Sequence, residues 1–125
     1  MRVLLVDNLL YDDLGDGAVY DLQPHAGLVS LVAVARSGGH AAEVLDPKRE
    51  LADGRLRLDA SIVAALADQI IARRPDVVGF TALGCNFVLV IRTAAELKRL
   101  GVAAVFQPGA SLEAIVNFIK GTVAV

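Results

Sequence analysis

Residues 75–86 read Pro-Asp-Val-Val-Gly-Phe-Thr-Ala-Leu-Gly-Cys-Asn. Val77, Val78 and Phe80 form a short apolar run behind an Arg73-Arg74-Pro75 break, a pattern that suits a strand buried on both faces. Thr81, Ala82, Leu83 and Gly84 come next as a loop of small or compact residues, and a helical pattern starts near Asn86. In an open parallel sheet, ligands lie outside the carboxyl ends of the strands, near the point where strand order reverses. The stretch therefore predicts the central strand of such a sheet, with its loop as the floor of a binding site.

The flanking pattern extends this reading in both directions. Residues 1–6, with Arg2-Val-Leu-Leu-Val6, predict a first strand, and a long loop rich in aspartate comes after it, with Asp12, Asp13, Asp16 and Asp21. A loop of that length in a small domain is usually functional or mobile. The first helix is expected over 25–37, with Leu28, Leu31, Val32 and Ala35 on one face and Gly38-Gly39 as its stop. A second strand is expected over 41–45. Residues 48–59 alternate charges with leucines and suggest a solvated decoration, with a hairpin near Asp53-Gly54.

Asp59 or Ser61 is expected to cap a second helix carrying Ile62, Val63, Leu66 and Ile70 on its core face. Behind the central strand, a third helix over 86–100 shows Val88, Ile91, Ala95 and Leu97. Residues 102–106 predict a fourth strand. Leu112, Ile115, Val116 and Ile119 mark a fourth helix stopped by Gly121, and residues 122–125 predict a fifth strand. Alternating strands and helices give an α/β fold: a flavodoxin-like (Rossmann-like) doubly wound sheet of five parallel strands in the order 2-1-3-4-5. The last strand has no closing helix behind it, so residues 1–125 are expected to be the front domain of a longer protein.

Composition narrows the function. The chain of 125 residues suffices for one domain with a real core, and 55% hydrophobic content with a mean hydropathy of +0.57 suits strands buried on two faces. No apolar run reaches the length of a membrane span, and the first strand runs straight into Asp7-Asn8, unlike a signal peptide. A net charge of −2 offers no basic stripe for a nucleic-acid backbone, and 5% aromatics without Trp gives no platform for stacking bases. One cysteine excludes an internal disulfide or a multi-cysteine metal site and makes the cytoplasm the simplest setting.

Ligand classes that use this kind of sheet separate on particular residues. A flavin phosphate needs a loop rich in Ser, Thr and Gly after the first strand, whereas this one is rich in aspartate. Neither a P-loop nor Gly-x-Gly-x-x-Gly is present. A phosphoacceptor receiver domain resembles the opening Val-Leu-Leu-Val-Asp-Asn, but it needs an aspartate at the end of the third strand, where this chain has Phe80, Thr81 and Ala82.

Four segments carry a different likeness: Gln23-Pro-His-Ala-Gly-Leu28; Gly39-His40 with a strand and Asp46-Pro47; the stretch from Pro75 through Asn86 to Phe87; and Gln107-Pro-Gly-Ala-Ser111. Through them nearly the whole chain resembles the cobalamin-binding domain at the N-terminus of many radical S-adenosylmethionine enzymes. The resemblance implies a cofactor site built from Thr81, Ala82, Leu83 and Gly84, from Gln107, Pro108 and Gly109, and from His25 and Gly27 at the start of the first helix. Thr81-Ala-Leu83 falls where mutase cobalamin domains carry Ser-x-Leu, so its hydroxyl is expected to bond the nucleotide tail. Gly84 and Gly109 would let backbone approach the ligand closely.

Two departures shape the expectation. The Asp-x-His-x-x-Gly motif that supplies a cobalt ligand is not matched, because Asp21, His25 and Gly27 have the wrong spacing. The resemblance therefore implies cobalt without a protein histidine, and no metal ligand is assigned. Gln107 stands where a glycine is usual and would narrow the tail slot. No catalytic residue is assigned either. An iron–sulfur cluster needs Cys-x-x-x-Cys-x-x-Cys, which one cysteine cannot supply, so S-adenosylmethionine and the cluster would belong to a catalytic domain in cis or to a partner enzyme. The implied role is to present the corrin for methyl transfer or related radical chemistry. The competing readings are a degenerate receiver-like interaction module and a stand-alone cobalamin carrier.

Overall fold

A computed structural model describes residues 1–9, 25–81, 87–106 and 110–123. In chain order the elements are β1 (Arg2–Val6), α1 (Ala26–Ser37), β2 (Ala41–Leu45), α2 (Pro47–Ala52), α3 (Ile62–Ala72), β3 (Val77–Phe80), α4 (Phe87–Arg99) and α5 (Leu112–Thr122). The three strands form one parallel sheet in the order β2-β1-β3. The fold is thus α/β, and its order is that of the first three strands of a flavodoxin-like sheet.

Strand register divides the sheet into two faces. Leu4 and Val6 share a face with Leu45, Val78 and Phe80, since paired residues in a ladder point the same way. These residues pack with Ile62, Leu66, Ala67 and Ile70 of α3 and with Leu97 of α4 in the main hydrophobic cluster. Leu28 and Val32 of α1 are buried outside that cluster, and α1 packs chiefly on β2. The face that carries Leu5 and Val44 is covered only in part, with Leu5 half-buried and Val44 37% exposed. Gly79 stands beside Leu5 in the ladder, and a Cβ there would come within 2.9 Å of Leu5 Cδ2.

Several expectations need correction. Residues 102–106 are not a strand. Gly101, at φ +107, ends α4, after which Val102 N–H donates to Leu97 O and Lys98 Nζ donates to Ala103 O at 2.8 Å. Backbone groups that a ladder would need are spent on the end of α4, and the Phe106 ring instead meets Phe118 edge-on at 5.4 Å. Thr122, expected in a fifth strand, is the last residue of α5, and Gly121 lies inside that helix. The sheet therefore has three strands among the described residues rather than five. β3 stands at its edge, half-buried along its length, and β1 is the central strand.

The expected solvated excursion is also different. Asp46 caps α2 by accepting the Lys48 N–H at 3.0 Å, with Pro47 at the first helical position where its missing N–H costs nothing. Pro47, Lys48 and Glu50 are buried. Gly54, at φ +75, turns the chain so that Leu56 enters the core, which replaces the expected hairpin. On the helices, Leu31 is 55% exposed and Val88 60% exposed, outside the faces expected for them, while Thr93 is fully buried with Leu97 on α4. In α3 the expected core residues Ile62, Leu66 and Ile70 are buried.

Candidate functional site

The chain goes from β1 to β2 on one side and then returns to place β3 on the other, so strand order reverses at β1. In open parallel sheets a ligand crevice lies at such a reversal, which here is the place beyond the carboxyl ends of β1 and β3. Backbone hydrogen bonds hold the end of β1 on both sides. Asp7 N–H donates to Leu45 O at 2.8 Å, and Thr81 N–H donates to Val6 O at 3.0 Å. Thr81 is half-buried immediately beyond β3, with its hydroxyl oxygen out of solvent. Of the other predicted site residues, Ala82, Leu83, Gly84, Gln107, Pro108 and Gly109 lie outside the described residues.

His25 and Gly27 are described, at the start of α1. His25 is the N-cap, and its Nδ1 accepts the Leu28 N–H at 3.3 Å. An imidazole that accepts at Nδ1 carries its proton on Nε2, so the ring serves here as a helix cap. Gly27 makes room for it: a Cβ at position 27 would stand 3.0 Å from His25 Cε1. The glycine and the histidine therefore form one local device.

A cluster beside this crevice has no counterpart in the sequence pattern. Lys48 reaches from α2 to the end of β1, and its Nζ lies 3.0 Å from Asn8 O, 3.0 Å from Asp46 Oδ1 and 3.4 Å from Asp7 Oδ2. Both Lys48 and Asp7 are buried, although Asp7 opens the aspartate-rich loop that follows β1. The remaining aspartates of that loop, Asp12, Asp13, Asp16 and Asp21, lie outside the described residues. The pair Asp46-Pro47 is a helix-start signal that would have placed Lys48 on a helix, but its partner Asp7 is distant in sequence and no local pattern links them.

A second ion-paired group joins α2 to the turn that follows it. Arg55 donates to both Glu50 carboxylate oxygens, at 2.6 and 3.1 Å, and to Asp53 at 2.9 Å. The hydrogen bond from Arg55 holds the Glu50 carboxyl below its ordinary range, against the opposing effect of burial. A cleft of about 210 Å³ opens at the amino ends of the strands and is lined by Arg2, Arg36, Arg73, Glu43 and Pro75. Arg36 Nε donates to Ala42 O, and Arg73 Nη1 to Gln69 O near the end of α3. Arg73 also lies 3.8 Å from carboxylate oxygens of Glu43 and of Glu50, so it joins the cleft at the amino ends of the strands to the Glu50 group.

Among the described residues, no three His, Cys, Asp or Glu side chains are grouped to hold a metal ion, and no helix is long and apolar enough to cross a membrane. No protein-family model, no curated protein and no solved structure matches this chain.

Proposed function

We propose that this chain is a cobalamin-binding domain that presents the corrin to a radical S-adenosylmethionine catalytic domain, in cis or on a partner enzyme. The observation that carries the reading is the reversal of strand order at β1, beside which β3 ends and Thr81 heads the segment most similar to that family. A corrin is broad and largely apolar, and small residues after a strand leave room for it. Thr81 would bond the nucleotide tail. When bound, the cobalt centre would supply the methyl-carrying or radical chemistry.

The described residues fit such a ligand in two further respects. Lys48 offsets negative charge at the end of β1, so the crevice does not present a bare carboxylate to an apolar ring. The Nδ1 of His25 is engaged with its own helix, which favours a binding mode without a protein histidine on cobalt. The Lys48 contact also argues against the receiver-like alternative, which needs a divalent cation beside the carboxylate after β1. Here an ammonium stands beside Asp7.

The test is to mix the protein with hydroxocobalamin, remove free ligand and record the visible spectrum. Wild type is expected to retain corrin, Thr81→Phe to lose at least tenfold in retention, and His25→Ala to leave the bound spectrum unchanged. Failure of the wild type to retain corrin would sink the proposal. Phosphorylation by acetyl phosphate in the presence of magnesium would favour the receiver-like module instead.

A further inference from the structure

We propose that Lys48 is a positioning residue: it fixes the direction in which the chain leaves β1 and so sets one rim of the crevice. Its bearing on a ligand rests on the cobalamin reading. Its bearing on the chain rests on geometry alone. Lys48 is only 6% exposed, and its ammonium is surrounded by oxygens from Asn8, Asp46 and Asp7. One of these is a main-chain carbonyl, just beyond the last residue of β1. A contact to backbone constrains where the chain goes, whereas a contact to a side chain alone would let the loop swing.

The other groups complete the tie. Asp7 Oδ1 accepts the Asn8 N–H at 2.7 Å while Oδ2 faces the ammonium, so one carboxylate holds the loop amide and the lysine together. Asp46 Oδ1 accepts the Lys48 N–H at 3.0 Å and also meets Nζ, so it starts α2 and anchors the lysine. Among the described residues, neither aspartate has another ion-pair partner. Two carboxylates share one cation, and removing that cation leaves a buried carboxylate that cannot be well solvated. The exits of β1 and β2, already joined by the bond from Asp7 N–H to Leu45 O and followed by the buried Leu9, are thus tied again through one side chain from a helix of six residues.

Stabilisation and positioning separate in a double variant. Lys48→Met removes the charge and leaves Asp7 uncompensated, so it is expected to destabilise the whole domain. Asp7→Asn combined with Lys48→Met removes the buried carboxylate as well, while the asparagine oxygen can still accept the Asn8 N–H. This double variant is expected to melt within a few degrees of wild type. In hydrogen exchange, amides of α3 should keep their protection, while amides at positions 7, 8 and 81 should exchange at least tenfold faster. Hydroxocobalamin should bind at least tenfold more weakly.

Unchanged protection at positions 7, 8 and 81 in the double variant would overturn the positioning role. Faster exchange there with unaltered corrin affinity would overturn its link to the site. Absence of corrin binding by the wild type would overturn the cobalamin reading, while local loosening in the double variant would still support the role of Lys48 at the β1 exit.

Discussion

Helices α3 and α5 are each eleven residues long, and of the two α5 has the more sharply divided apolar and polar faces. Yet α3 buries Ile62, Leu66, Ala67 and Ile70, whereas no residue of α5 is buried and Leu112 is 76% exposed. The difference lies in the chain that adjoins each helix. The chain after α3 enters β3, which pairs with β1, so the ladder draws α3 onto the sheet. The chain before α5 runs through residues 102–106, which join no ladder and so do not direct α5 back to the sheet. An amphipathic pattern selects a helix, but burial needs a strand that returns the helix to the core.

The largest expected effect tests that contrast directly. Leu66→Ala removes a side chain that is 2% exposed and should cost about 2–5 kcal/mol in urea unfolding. Val116→Ala in α5 should stay within roughly 0.5 kcal/mol of wild type. A comparable loss from Val116→Ala would show that α5 packs on the core after all and would break the comparison.

Acid titration sharpens it next. Both Glu50 of α2 and Glu96 of α4 are held below the ordinary carboxylate range, each chiefly by a hydrogen bond from an arginine, Arg55 and Arg99 respectively. A carboxyl whose value is depressed on folding adds stability above its unfolded value, and that stability is lost as pH falls through the folded one. Glu50 is buried and Glu96 is not. Glu50→Gln should therefore cost about 2 kcal/mol at neutral pH, the scale of a hydrogen bond to a charged group. It should also flatten the loss of stability below the ordinary value of 4.5. Glu96→Gln should leave the acid limb of the melting curve where it is. Equal flattening by both variants would contradict the assignment.

Helix caps give the smallest contrast. Asp46 caps α2 and Ser111 caps α5, where Ser111 Oγ accepts the Ala114 N–H at 3.1 Å. The cap alone is worth about 1 kcal/mol to either helix, to which Asp46→Ala adds the lost contact with the Lys48 ammonium. Asp46→Ala should lower the unfolding midpoint of the whole domain, whereas Ser111→Ala should lower helicity without moving that midpoint. A shift of the global midpoint by Ser111→Ala would again tie α5 to the core.

The same contrast explains which parts of the fold are legible in the sequence. β1, β2, β3 and α3 announce themselves through local periodicity and turn residues, and the order β2-β1-β3 accords with right-handed crossovers between them. The place of Thr81, immediately beyond β3, is legible because the apolar run ends at Phe80. Residues 102–106 look like a strand because apolar β-branched residues suit one, but pairing is a long-range property, and here Lys98 and Leu97 take the backbone groups locally. Lys48 reads as one charge among many, because nothing in residues 48–59 reveals that Asp7 waits at the end of β1. Leu31 and Val88 show the related limit: apolar residues mark the sides of a helix without saying which side meets the sheet.

The strand order also governs how the molecule is made. β1 is synthesised before either of its neighbours, and it must wait for both. Its contact with β2 spans about forty residues, and the bond from Arg2 N–H to Asp76 spans 74. During translation Leu4 and Val6 therefore leave the ribosome with both ladder edges bare, and the β1–β3 ladder is the last part of the sheet to be secured. Folding should be slow for so small a domain, because chain closure must precede the contacts that reward it. The interval before β3 emerges is when β1 is most open to pairing with another chain.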